Sequence, residues 1–72
     1  MTYCERAKGN GWQLLSWGNG TALEILNADR GLSVLVQGDE AGEMWDQWEA
    51  LERIFPDMPV GDLLPRLYDQ WS

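Results

Sequence analysis

DEAGEMWDQWEALERIF, residues Asp39 to Phe55, is the longest segment of this chain with one clear period. At about 100° per residue around a helix axis it separates into two faces. Ala41, Met44, Trp45, Trp48, Leu51 and Phe55 fall on one apolar arc. Asp39, Glu43, Asp46 and Glu49 fall on the opposite arc, with Ala50 and Arg53 beside them. An isolated helix of this length is marginal in water, so the apolar arc must bury against something else in the chain. The carboxylates must face solvent or a partner, because unpaired charges are costly to bury. The start is marked by Asp39, a good N-cap residue, and by Glu40 and Glu43, which suit the positive end of the helix dipole. Gly42 weakens the first turns by about 1 kcal/mol relative to Ala. Pro56 ends the helix by biasing Phe55 away from helical geometry.

Upstream of this helix the period is two. WQLLSW (Trp12–Trp17) reads as a strand, and so does TALEILN (Thr21–Asn27), where Thr21, Leu23 and Ile25 alternate with Ala22, Glu24 and Leu26. LSVLVQ (Leu32–Gln37) is the best strand in the chain. Leu32, Val34 and Val36 form its core side, and Ser33, Leu35 and Gln37 face away. Leu26 and Leu35 then share the second face of the sheet, either covered by the chain termini or exposed as a patch. Gly-Asn-Gly occurs at 9–11 and again at 18–20, and ADRG at 28–31 separates the last two strands. Asn-Gly supplies the positive φ angles of a tight hairpin turn. Thr2 to Lys8 is a fourth strand or a frayed end. Downstream, DMPVG is a loop. Asp62 is placed to cap a second helix, Leu63 to Gln70, with Pro65 in its first turn and an apolar stripe of Leu63, Leu64, Leu67, Tyr68 and Trp71. The expected architecture is therefore one α+β domain over residues 1–72: a three- or four-stranded antiparallel meander, a long amphipathic helix packed on it, and a short C-terminal helix.

A chain of 72 residues buries a modest core. Cys4 is the sole cysteine and there is no histidine, so neither an internal disulfide nor a structural zinc site is expected. Five tryptophans compensate, since each buries on the order of 200 Å². Twelve Asp and Glu against five Lys and Arg give a net charge of −7 at pH 7. Such a chain is repelled by nucleic acid and anionic membranes and is steered toward basic surfaces. Acidity also keeps a Trp-rich protein soluble, and many ordinary surface helices carry four acids. The clustering of six acids and no base between Asp39 and Glu52 is what points toward a partner. The N-terminus MTYCERAKGNG has no apolar signal region, and no stretch approaches the roughly 20 apolar residues of a membrane span. A cytoplasmic protein is expected.

The residues supply no reaction centre. Cys4 and Ser16 have no histidine to activate them. Glu43 and Asp46 are close enough for acid–base work, but on a solvent-facing helix they lack the desolvation that splits carboxylate pKa values. GDEAGE has oxygen donors without the spacing of a calcium loop, and neither Gly-Asn-Gly opens a phosphate-binding helix. A non-enzymatic protein without metal or cofactor is expected.

Two surfaces remain as binding candidates. Trp12 and Trp17 lie five residues apart and so point to opposite sides of their strand, leaving one to face solvent. The acidic row of Asp39, Glu43, Asp46 and Glu49 recurs every three or four residues along one side of the long helix, about 5 Å apart along the axis, and Glu40 joins it as a candidate contact at the start of the helix. A nucleic-acid backbone carries charge on a comparable scale, so a rigid acidic rod fits a basic groove made for one.

In its short length, its acidity, its set of sheet hairpins and the stretch GDEAGEMWDQWEALERIF, the chain resembles the small phage-encoded inhibitors of host defence, anti-CRISPR proteins among them. The resemblance carries no residue-by-residue assignment. It implies a stoichiometric protein partner, often the DNA- or RNA-binding surface of a defence complex in the host cytoplasm. The leading expectation is an inhibitor that binds a protein's basic nucleic-acid-binding surface and does not itself bind nucleic acid or membrane. The alternative is a protein-interaction or structural subunit that docks through an aromatic and aliphatic sheet face around Trp12, Trp17 and Leu35. A small carbohydrate-binding module is a third reading.

Overall fold

The structure, a computed structural model, describes residues 3–18 and 21–72. Thr2 of the N-terminal stretch and the Asn19–Gly20 part of the second Gly-Asn-Gly lie outside the described residues. Strands β1 (Tyr3–Gly9), β2 (Trp12–Trp17), β3 (Ala22–Asn27) and β4 (Leu32–Gln37) are followed by helices α1 (Asp39–Ile54) and α2 (Val60–Trp71). The strands form one antiparallel sheet in the order β1-β2-β3-β4. The N-terminal stretch is thus a strand, and the fold is an α+β meander with both helices on one face.

Turn chemistry sets the strand register. Asn10 and Gly11 take φ of 53° and 83°, as the β1–β2 hairpin turn requires. At the β3–β4 turn the backbone N–H of Arg30 donates to the carbonyl and to the side-chain Oδ1 of buried Asn27, at 3.2 Å each. The resulting register pairs Leu14 with Ile25, Ile25 with Val34, and Leu23 with Val36. Side chains of Trp12, Leu14, Leu23, Ile25 and Val36 then meet Ala41, Met44, Trp48 and Leu51 of α1 and Leu63, Leu64 and Leu67 of α2 in one buried cluster. Among the described residues no buried side-chain nitrogen or oxygen lacks a hydrogen-bond partner.

The register of β1 slips between Glu5 and Ala7, making Arg6 the extra residue of a β-bulge. The bulge inverts the alternation beyond it. Ala7 joins the core beside Leu14, while Lys8 pairs with Gln13 on the opposite face. Without the slip Lys8 would point into the core.

Both helix starts differ from the sequence expectation. Asp39 is the first helical residue and not the cap. The cap is Gly38, at φ 64° and ψ −133°, with no side-chain cap hydrogen bond. No loop separates β4 from α1, so the chain reverses at a single residue, and that backbone conformation is open to glycine at little cost. The Gly38 N–H donates to the Thr21 carbonyl at 3.0 Å, and its own carbonyl accepts from Ala41 N–H at 3.1 Å. The second helix begins at Val60 with Pro59 as cap, earlier than Asp62 allowed, and runs to Trp71. Pro65 therefore lies inside the helix, where it denies a hydrogen bond to the Gly61 carbonyl.

Tertiary packing explains the early start of α2. Gly61 is buried against the β1–β2 turn so closely that a Cβ on it would lie 2.5 Å from Asn10 Cβ and 3.1 Å from the Gly9 carbonyl carbon. This backbone-to-backbone contact recruits residues 60–62 into the helix. A paired substitution tests it. Gly61→Ala should destabilise by about 1–3 kcal/mol in spite of alanine's better helix propensity, because the turn must shift. Gly42→Ala, whose Cβ meets nothing within 4 Å, should stabilise by about 1 kcal/mol. Urea melts of the two variants should move in opposite directions. Equal stabilisation by both would show that α2 does not lie against the turn.

Candidate functional site

The acidic row survives folding intact. Asp39, Glu40, Glu43, Asp46 and Glu49 are all exposed along α1, as is Glu52. Helix α1 is 16 residues long, about 24 Å at ~1.5 Å per residue. It is held from beneath by Ala41, Met44, Trp48 and Leu51, so the backbone carrying the acids is fixed. Of the two residues flanking the row, Ala50 is half-buried and Arg53 is exposed in the last turn, where a cation complements the helix dipole. Trp71 fastens the end of α2 to α1 by donating its indole N–H to Gln47 Oε1 at 2.7 Å. Carboxylates three or four residues apart on one helix repel each other by a few tenths of a kcal/mol per pair. A basic surface laid along α1 relieves that repulsion.

Among the described residues the other face of the sheet is bare. Tyr3 and Trp17 pack ring against ring at 4.9 Å, the Trp17 indole N–H donates to Glu24 Oε1 at 3.3 Å, and Gln13 Nε2 donates to Glu5 Oε2 at 2.6 Å. Leu15 is buried here between its cross-strand neighbours Glu5 and Glu24. Leu35 is 53% exposed and Leu26 half-buried, so neither helix covers this face. Trp12 does not belong to it. Strand parity turns Trp12 toward the helices, where it is 4% exposed with its ring 5.3 Å from that of Tyr68. The aromatic sheet surface expected around Trp12, Trp17 and Leu35 therefore reduces to Tyr3, Trp17 and Leu35.

Sequence reasoning missed a third feature, where Arg6, Ser16 and Trp45 converge on the helix side of the sheet. Arg6 reaches it by the ordinary alternation of β1, which puts Cys4 opposite Ser16 and Arg6 on the same side, and nothing in TYCERAK says what that side will face.

Cys4 is exposed. Among the described residues no group of three or more His, Cys, Asp or Glu is placed to hold a metal ion, and no helix is long and apolar enough to cross a membrane. No protein-family model, curated protein or solved structure matches the chain.

Proposed function

We propose that this protein is a non-enzymatic, protein-binding inhibitor. It lays the acidic side of α1 against a basic nucleic-acid-binding surface of its target in the cytoplasm, in the manner of the small phage-encoded inhibitors of host defence that it resembles. One observation carries the reading: five carboxylates, Asp39, Glu40, Glu43, Asp46 and Glu49, stand exposed on a helix whose opposite side is locked into the core. A partner meets a preorganised charge row, so little ordering opposes binding.

The proposal is tested by capturing partners from a host lysate at low salt and challenging the complex with DNA or RNA. Nucleic acid should displace the protein, since both occupy one surface. Association should weaken steeply as ionic strength rises and the charges are screened. A ternary complex in which nucleic acid and this protein bind independently would rule out mimicry. The exposed Leu35 and the Tyr3–Trp17 pair favour a second reading, docking through the bare sheet face, for which binding should be insensitive to salt.

A further inference from the structure

Between the first turns of α1 and the sheet lies an open-sided cleft of about 320 Å³, lined by Arg6, Ser16, Leu23, Ala41, Gly42 and Trp45. Leu23 and Ala41 are buried beneath it, Ser16 is only 5% exposed, and Trp45 is half-buried. Arg6 is exposed, so its charge is reachable from solvent. Its Nε donates to Ser16 Oγ at 2.8 Å, and its Cζ lies 6.0 Å from the centre of the Trp45 ring. Anchoring through Nε leaves the two terminal nitrogens of the guanidinium as a planar pair of donors, which matches the two oxygens of a carboxylate. None of the twelve acids of the chain lines the cleft.

Gly42 is a second, independent observation. A glycine inside a helix costs about as much as a weak hydrogen bond contributes, and here no packing requires it, since a Cβ would meet nothing within 4 Å. Its effect is to leave the cleft unobstructed. The volume lies at the small end of ligand pockets, roughly 300–1,000 Å³, and the net charge of −7 disfavours multiply charged anions.

The geometry points to a binding site for a monocarboxylate with a small apolar body, held by Arg6 at the rim and by the Trp45 ring along its side. The source is either a free organic acid or the carboxyl terminus of an apolar peptide. The cleft shares α1 with the acidic row but uses none of its carboxylates, so the two sites succeed or fail separately.

Titration with phenylacetate, for a free acid, and with N-acetyl-leucine, for a chain terminus, followed by two-dimensional NMR, tests the assignment. At least one should shift the Arg6 Nε–H and the Trp45 indole resonance saturably. The dissociation constant should be on the order of 1–10 mM, as suits a ligand of about ten heavy atoms. Arg6→Leu should weaken binding about tenfold or more. Gly42→Leu should abolish it by filling the cleft while leaving the melting temperature no lower than wild type. The site is overturned if neither acid moves the two resonances, or if Gly42→Leu, folded, binds normally. It is overturned equally if neutral phenylacetamide binds as well as the acid, or if inorganic phosphate binds more tightly than either acid.

Discussion

Trp48→Ala is expected to lower the unfolding free energy by roughly 3–5 kcal/mol, the cost of emptying a large aromatic site in a packed core. Trp48 is 3% exposed at the junction of sheet and helices. At roughly 0.05–0.15 kcal/mol per residue, a chain of this length has on the order of 4–11 kcal/mol in total. The variant should therefore be largely unfolded at 37 °C or melt tens of degrees early. Trp17→Ala is the comparison. Trp17 is half-buried on the bare face, with one long indole bond to Glu24 and the Tyr3 ring beside it. Its loss should cost about 1–2 kcal/mol. Circular dichroism melts decide the matter: Trp17→Ala melting below Trp48→Ala would place the main core on the other side of the sheet.

Reversing three charges on α1 should abolish partner binding and spare the fold. The triple Glu43→Lys, Asp46→Lys, Glu49→Lys moves the net charge from −7 to about −1, each reversal adding two units. All three residues are exposed, and such substitutions usually shift stability by about 0.5 kcal/mol or less each. A control needs the same change of charge away from both candidate surfaces. Asp29, Asp57 and Asp69 are exposed and supply it. Glu5 is unsuitable, because it accepts from Gln13 on the bare sheet face. Loss of binding in the helix triple alone localises the contact to α1. Equal loss in both reduces the effect to net charge, and retention in both hands the contact to the sheet face. Asp39 is left unchanged because its charge supports the start of α1 through the helix dipole.

Local pattern determined most of the architecture. The strands Trp12–Trp17 and Leu32–Gln37, the apolar arc of α1 and the exposure of its acids follow from periods of 2 and 3.6, since a residue's face is fixed by its neighbours along the chain. Asn10-Gly11 and Pro56 read correctly as turn and stop for the same local reason. Tertiary structure decided the rest. Gly38 displaced Asp39 as the cap because β4 and α1 abut without a loop. Helix α2 gained Val60 to Asp62, with Pro65 inside it, because Gly61 can touch the β1–β2 turn. The bulge at Arg6 reversed the faces of β1 beyond it, and the pairing of β1 with β2 and the packing of α1 brought the Arg6 guanidinium to Ser16 and Trp45, residues ten and 39 positions away. These outcomes depend on contacts between distant segments. A single strand or helix read by its own period carries no trace of them, which is why the acidic row was legible in the sequence and the Arg6 cleft was not.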